Sequence, residues 1–418
     1  MMVELRDGDV IAGVRPPVAF APSTIDECAE VMAMAARERL RLGFVGGGTA
    51  LALGAPPSGL DAVVRTERLA RVIEYAAADM VIVVEAGVTL AALQGVVGAH
   101  RQRLAIDAPW PDRATVGGLI ATGGFGPLRM RYGTIRDLII GVTLVRADGE
   151  VAHGGGKVVK NVAGFDLPKV ACGSLGTLGL VAGAAFRLHP LPEVTTTVVV
   201  AGITAEAVVA LIAATRAAQL EPASAVALRA RDDSRRTDAH HDGHNDGRSD
   251  GPKAAGFELG VRFEGFGRGV AHQVARFVEL VTASGAHADL ERGEAFWRRH
   301  DAIRAAGPLR LRVAALPTEL PRVAALVAGL GELAWYASLG VGFVSGTLTD
   351  APAALAAATT ARAALVAGGG SLVVEAAPAG LALEPWGPPP PSFAIMQRLK
   401  QRFDPERRLN PGRFVGGL

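Results

Sequence analysis

The spacing of apolar residues divides the chain into helical and extended segments. Ile25, Cys28, Val31, Met32, Ala35 and Ala36 recur at helical intervals. Ser23 or Thr24 supplies a cap, and Asp26 and Glu27 suit the first turn, so a helix is predicted over 24–40. Short runs rich in valine and isoleucine predict strands at 42–45, 62–65, 80–85, 137–145, 151–153 and 180–188, with a helix at 89–97. Arg103 to Trp110 reads as a strand running into a turn. Ala147-Asp-Gly-Glu150 carries the Asp-Gly signature of a two-residue hairpin loop. From Val194 the pattern becomes strand, helix, strand, repeated. Strands are expected at 196–200, 225–228, 257–263, 286–290, 334–338, 341–345 and 371–376. Helices are expected at 205–218, 270–282, 291–305, 317–330, 353–367 and 393–403. This order predicts an α+β fold.

The chemistry begins where one strand empties into glycine. In Val45-Gly-Gly-Gly-Thr-Ala-Leu51 the residues lacking Cβ let successive backbone N–H groups converge into a concave site for oxyanions, and Thr49 adds a hydroxyl donor. There is no Gly-Lys-Ser/Thr as a P-loop requires, and no G-x-G-x-x-G of a Rossmann turn. Alone, the stretch is equally readable as a plain glycine-rich turn. A second concentration, Thr115-Val-Gly-Gly-Leu-Ile-Ala-Thr-Gly-Gly-Phe-Gly126, and a third, Gly154-Gly-Gly156 followed by Gly173-Ser-Leu-Gly-Thr-Leu-Gly179, suggest a long ligand gripped at several points. Arg129, Arg131 and Arg136 around Tyr132-Gly133 offer cations near an anion, or a solvated face.

Composition narrows the classes. The chain has 418 residues, half of them hydrophobic, enough for two packed cores. A net charge of +2 gives no argument for nucleic acid or an anionic membrane surface. The longest apolar stretch, Leu333 to Val344, falls short of the ~20 residues that span a bilayer. Met1 to Asp9 is too acidic for a signal peptide, so a cytoplasmic chain is expected. Cys28 and Cys172 sit far apart, which argues against a disulfide framework. Two thiols cannot ligate an iron–sulfur cluster that generally takes four, so any one-electron relay is expected on another chain.

Taken together, Gly46-Gly-Gly-Thr49, Thr115-Val-Gly-Gly118, Arg131-Tyr-Gly133, Lys160-Asn-Val-Ala-Gly-Phe-Asp166 and Gly173-Ser-Leu-Gly-Thr-Leu-Gly179 resemble the FAD domain of the vanillyl-alcohol oxidase superfamily, the PCMH type. Within it, their order is most similar to the FAD-binding accessory subunits of bacterial glycolate oxidase. Phe403-Asp-Pro-Glu-Arg-Arg-Leu-Asn-Pro-Gly-Arg-Phe414 resembles the ending of FAD-linked 2-hydroxyacid oxidoreductases. The resemblance implies a PCMH-type domain of two α+β subdomains over 1–191, an α+β cap over 192–390, and a C-terminal helix and tail over 391–418 that packs back on the FAD domain.

The resemblance also implies the cofactor's surroundings. Gly46, Gly47, Gly48 and Thr49, with Ala50 and Leu51 beside them, would hold the pyrophosphate. Pro109, Thr115, Gly117, Gly118, Gly123 and Gly124 would line the middle of FAD, with Tyr132, Leu180 and Val181 near its ring or adenine end. Asn410 and Arg413 would approach from the tail. No histidine or cysteine flanks the first glycine turn, so noncovalent FAD is expected. Lys157, Lys160 and Asn161 are either loop residues in water or groups stabilising reduced flavin or a substrate carboxylate.

Arg229 to Ala254 contains His240, His241 and His244 among many polar residues. No apolar framework surrounds them to fix ligand geometry, so a solvated, disordered insertion is expected and no metal site. Catalytic relatives carry a His-x-Gly-Asp-Gly run in the cap, which is missing in ordered context here. No catalytic residue is therefore assigned. The expected role is the FAD-binding subunit of a complex oxidising glycolate, a small 2-hydroxy acid, to glyoxylate. A larger FAD-linked subunit and an iron–sulfur subunit are its expected partners, and any membrane contact would run through them. A stand-alone 2-hydroxyacid dehydrogenase and a non-catalytic flavoprotein scaffold are the alternatives.

Overall fold

The computed structural model describes residues 1–156, 166–229, 256–346, 351–378, 381 and 383–418. They form two compact units, Met1–Leu191 with Val373–Leu418, and Pro192–Leu372. The insertion predicted over 229–254 lies outside the described residues beyond Arg229, as do Lys157, Lys160 and Asn161.

The first unit starts with β1 (Met2–Val3), β2 (Val18–Phe20), α1 (Ile25–Arg37), β3 (Leu42–Val45) and β4 (Ala62–Arg65). These strands form a sheet in the order β1-β2-β4-β3, with β4 parallel to both β2 and β3. Thr24 caps α1, its Oγ1 accepting from Glu27 N at 3.1 Å. The helix buries Cys28, Val31, Met32 and Ala35 in a core shared with Leu42, Ala62, Val64 and Leu180. Fully burying a side chain the size of Val31 or Met32 contributes roughly 1.5–3 kcal/mol, which is what fastens the helix to the sheet.

Next come β5 (Val72–Ala76), β6 (Val81–Glu85), α2 (Leu90–Gly98), β7 (Gln102–Arg103), α3 (Val116–Thr122), α4 (Arg129–Tyr132), α5 (Ile135–Leu138), β8 (Ile139–Val145), β9 (Val151–Gly155), α6 (Leu167–Ala171), β10 (Leu180–Arg187) and β11 (His189–Pro190). A second, antiparallel sheet runs β5-β6-β10-β8-β9, and β7 pairs separately with β11.

Strands β2 and β5 were not expected, α5 takes the first residues of the strand expected over 137–145, and three further differences have local causes. The β8–β9 loop is not a two-residue turn: Arg146 N donates to Glu150 O and Gly149 N to Arg146 O, leaving three residues between the paired ends. Gly149 takes φ +89°, and Arg146 bridges to both Asp148 and Glu150, which holds this longer form. The strand expected from Arg103 pairs only at Gln102–Arg103. The second glycine-rich stretch contains a helix, α3, because Thr115 caps it and Gly123, at φ +63°, ends it.

The second unit contains β12 (Val194–Ile203), α7 (Ala205–Ala217), β13 (Ser224–Arg229), β14 (Phe257–Gly265), α8 (Gly267–Ala283), β15 (Ala288–Asp289), α9 (Gly293–Ala305), β16 (Leu309–Ala314), α10 (Leu320–Leu326), β17 (Glu332–Tyr336), β18 (Val341–Gly346) and α11 (Ala351–Ala367). The sheet order is β15-β12-β14-β13-β17-β18-β16-β19, where β19 is Ser371–Ala376. It is antiparallel from β15 to β16. β16 was not anticipated, although Leu309, Leu311 and Val313 alternate with Arg310 and Arg312 in the period of a strand.

The last element is α12 (Phe393–Phe403). The described residues after β19 and up to Pro390, assigned above to the cap, group with the first unit instead. Trp386 explains why: its Nε1 donates to Arg413 O at 2.9 Å, and its ring meets Phe414 edge-on at 5.0 Å.

Candidate functional site, the glycine-turn cavity

Strand β3 delivers the chain into the first glycine turn. Two glycines there are required by space: a Cβ on Gly46 would lie 2.3 Å from Thr115 Oγ1, and one on Gly47 only 1.6 Å from Arg113 O. The turn thus packs against the residues that lead into α3. Among the described residues, no backbone amide from Gly46 to Leu51 donates to a protein acceptor. Such a run of unpaired N–H groups is a nest for an oxyanion.

The other two glycine stretches close on the same place. Gly173 N donates to Ile120 O and Leu175 N to Ala121 O, docking the third turn onto the end of α3. Gly176 takes φ +70°, and a Cβ there would meet Asn410 Nδ2 at 2.7 Å and Phe44 at 2.8 Å. The result is a cavity of about 520 Å³, counting space continuous with solvent. Its walls are Phe44, the run from Gly46 to Leu51, Thr115, Gly118, Ala121, Thr122, Leu175, Gly176, Asn410 and Arg413.

The tail forms one wall because it pairs with β3 like an added strand. Leu42 N donates to Arg408 O and Asn410 N to Leu42 O. Lys400 and Asp404, both buried, pin it: Lys400 Nζ donates to Asp404 Oδ2 at 2.7 Å, Thr177 O at 2.9 Å and Leu409 O at 3.0 Å. Burial lowers the Lys400 pKa, and Asp404 opposes that shift. Arg413 Nη2 donates to Leu51 O and Leu53 O, clamping the chain after the first turn. Burial drops its guanidinium to about 10. Asn410 Nδ2 donates to Leu175 O at 2.8 Å.

These residues suit the diphosphate of a dinucleotide. Donors dominate, the close backbone excludes side chains, and two buried polar atoms, Asn410 Oδ1 and Arg413 Nε, have no hydrogen-bond partner. Buried polar atoms ordinarily find one.

Of the residues named from the sequence, Gly46, Gly47, Gly48, Thr49, Ala50, Leu51, Thr115 and Gly118 come together here, with Asn410 and Arg413. The others lie elsewhere. Gly117 is a packing glycine, its N donating to Ala86 O, with a Cβ 2.8 Å from that of Ala86. Gly123 and Gly124 end α3 by donating to Ile120 O and Leu119 O. Pro109 precedes the turn in which Arg113 N and Ala114 N donate to Trp110 O. Tyr132 accepts from Arg103 Nη2 at 2.8 Å. Leu180 and Val181 belong to two different buried clusters of this unit. Phe44, Ala121, Thr122, Leu175 and Gly176 were not named. Only Gly176 had a signal, as a member of the third glycine run.

Cys28 and Cys172 are both unbridged, and burial raises each thiol to about 12. Among the described residues no group of three or more His, Cys, Asp or Glu is placed to hold a metal ion, and no helix is long and apolar enough to cross a membrane. His240, His241 and His244 lie outside the described residues.

Comparison with known proteins agrees with this geometry. Residues 16–155 match the FAD binding domain family, and residues 388–414 match the C-terminal domain of FAD linked oxidases. The D-lactate dehydrogenase of Archaeoglobus fulgidus is 36% identical over 174 residues, 41% of this chain and 39% of that protein. Glycolate oxidase subunit GlcE of Escherichia coli is 32% identical over 142 residues, 34% and 40% respectively. Glycolate oxidase subunit GlcD of Bacillus subtilis is 30% identical over 178 residues, 43% and 38%. The chain thus spans about two fifths of the length of these relatives. Among solved structures, p-cresol methylhydroxylase with substrate bound superposes with a TM-score of 0.72 at 16% identity, covering 96% of this chain and 88% of that one. Alkyldihydroxyacetonephosphate synthase gives 0.70 at 15%, covering 96% and 77%. The chain therefore carries an FAD binding domain over 16–155 and an FAD-linked oxidase ending over 388–414, in an α+β fold of the p-cresol methylhydroxylase type.

Proposed function

We propose that this chain binds FAD noncovalently in the glycine-turn cavity and serves as the FAD-binding subunit of a glycolate-oxidising complex. The observation that carries the reading is the meeting of three distant glycine turns and the tail around one cavity in which the amides from Gly46 to Leu51 have no protein acceptor among the described residues. The amides from Gly46 to Leu51 and the Thr49 hydroxyl would hold the pyrophosphate, and Asn410 Oδ1 would accept a hydrogen bond from the cofactor. Arg413 would keep the far side of the turn in place through Leu51 and Leu53. Among the described residues that line the cavity none is a histidine or cysteine, which favours a noncovalent link. Bound FAD supplies a two-electron acceptor for the hydride leaving the hydroxyl-bearing carbon of a 2-hydroxy acid.

Two features favour a complex. A relative is a glycolate oxidase subunit, and the chain has only two cysteines, so cluster chemistry would fall to an iron–sulfur partner. The larger FAD-linked subunit would be the second partner, on the cytoplasmic side. Similarity to D-lactate dehydrogenase supports a second reading, a dehydrogenase acting alone. Copurification of the tagged chain from its native cell, with assays on glycolate and D-lactate using a dye acceptor, separates the two. Flavin released by acid, partners recovered and no turnover alone are expected. Turnover by the isolated chain would favour the second reading, and a flavin-free chain that cannot be reconstituted would remove both. Arg413→Met should lower flavin content at unchanged expression.

A further inference from the structure

The third glycine turn has a second face. Leu175 and Gly176 line the glycine-turn cavity, whereas Gly173, Ser174, Thr177 and Leu178 of the same turn line another, and the two cavities have no residue in common. The second cavity lies within the first unit and measures about 530 Å³, counting space continuous with solvent. Small-molecule sites usually fall in the range of about 300–1,000 Å³. Val170 on α6, Met396 and Leu399 on α12, and Phe414 in the tail give it apolar walls. These elements meet because Lys400 fastens α12 to Thr177 O of the turn and to Leu409 O of the tail.

The polar groups on these walls define what the cavity can hold. The Lys400 ammonium has three hydrogens and three acceptors, Asp404 Oδ2, Thr177 O and Leu409 O, so its charge and its donors are already used. Thr177 Oγ1 gives its hydrogen to Ser174 O at 2.7 Å. Two side chains keep a hydrogen to offer. The Ser174 hydroxyl, on a residue 7% exposed, has no hydrogen-bond partner among the described residues, although buried hydroxyls ordinarily find one. Cys172 is half-buried and unbridged, and burial raises its thiol to about 12, which keeps it neutral and only weakly polar. A charged ligand would lose its hydration here without a counter-charge from a side chain. A neutral, largely apolar one gains from burial.

We infer that this cavity is a binding site for a small neutral molecule, largely apolar, that carries a hydrogen-bond acceptor. Its apolar body packs against Met396, Leu399 and Phe414, and its acceptor takes the hydrogen of the Ser174 hydroxyl. The site is independent of the flavin reading.

The test follows the Met396 methyl group by NMR in the full chain with isotope-labelled methionine, the signal being assigned by its loss in Met396→Leu. Acetophenone, a ring with a carbonyl acceptor, should shift it saturably. Benzoate and benzylammonium, rings of similar size that carry a charge, should not. Ser174→Ala should weaken acetophenone by about fivefold, the scale of one neutral hydrogen bond, and bring it to the affinity of ethylbenzene, which has the same outline without the oxygen. Leu399→Trp, which fills the cavity, should abolish the shift. Should that variant not fold, Ser174→Ala, which removes a single oxygen atom, still decides. A shift that does not saturate, equal binding of either charged ring, or unchanged acetophenone affinity in Ser174→Ala overturns the proposal. Flavin absorbance on the same samples reports the other cavity separately, so either reading can fail alone.

Discussion

At Gly47 a methyl group would sit 1.6 Å from the carbonyl oxygen of Arg113, whereas at Gly260 in the second unit it would meet the Phe296 ring at 2.3 Å. Both glycines are crowded, yet the obstacles differ in kind. Backbone in the first unit can give way only if the turn itself moves. The Phe296 ring on α9 is a buried side chain, which can change its torsions where a backbone carbonyl cannot. The first unit therefore builds its cavity from main-chain positions, while the second builds its sheet from side chains packed on strands. The two matched family segments, 16–155 and 388–414, both fall within the first unit, where a residue's identity is dictated atom by atom.

The largest expected effect follows directly. Gly47→Ala should cost at least the upper end of the ~1–3 kcal/mol typical of overpacking, and should abolish flavin retention. Gly260→Ala should cost about 1 kcal/mol and leave flavin content unchanged. Urea denaturation with absorbance at the flavin band measures both. Equal flavin loss in the two variants would break the contrast.

The second effect concerns how each unit uses charge. Lys400→Met leaves Asp404 buried without its cation, and breaking such a pair costs about 3–5 kcal/mol. The tail should loosen and flavin should be lost with it. In the second unit, Arg299 pairs with Glu258 at 2.7 Å, but Arg292 pairs with the same carboxylate at 2.6 Å. Arg299→Met should therefore cost only about 1 kcal/mol or less, as for partly exposed pairs. Chemical denaturation of both variants checks the difference, and a mild Lys400→Met would show that the tail is held by apolar packing instead.

The same contrast explains what the sequence disclosed. Turns with unavoidable glycine were readable one by one, because few other residues reach φ +70° at Gly176 or tolerate the approach at Gly46. The helices of the second unit were readable from their period. What escaped was determined at long range. Ala121, Thr122 and Leu175 line the cavity because the third turn docks on α3, a contact between segments some fifty residues apart. The role of Trp386 depends on Arg413 O, and nothing local to Trp386 announces it. Strand β16 is a different case, since Leu309, Leu311 and Val313 carried the alternation openly. The separation of Gly117 from its neighbour Gly118 depends on which of two adjacent glycines faces Ala86.

The smallest effects, per unit of pH, should distinguish the units at opposite ends of the scale. In the first unit, burial raises the Cys28 thiol from 9.0 to about 12, so the folded chain holds a proton that the unfolded chain releases. Its contribution is fully present below about pH 9 and is lost as pH rises towards 12, at about 1.4 kcal/mol per pH unit. In the second unit, His300 is buried, with Nε2 3.1 Å from the Tyr336 hydroxyl and Nδ1 2.8 Å from Asp301. Burial lowers its pKa; Asp301 opposes the shift, and Arg304 and Arg262 add to it. The folded chain then binds the proton less readily than the unfolded chain. Stability from His300 is present above its ordinary value of 6.5 and is lost as pH falls through its depressed value. Burial and the neighbouring arginines lower the His189 pKa in the same direction. Cys28→Ala should therefore make the alkaline limb of a stability profile shallower, Cys172 keeping the remaining thiol share, and His300→Gln the acid limb, each leaving the other limb unchanged. Urea midpoints across the pH range, followed by tryptophan fluorescence and flavin absorbance, test this. If His300→Gln altered the alkaline limb, the two units would have to share a single unfolding transition governed by the first.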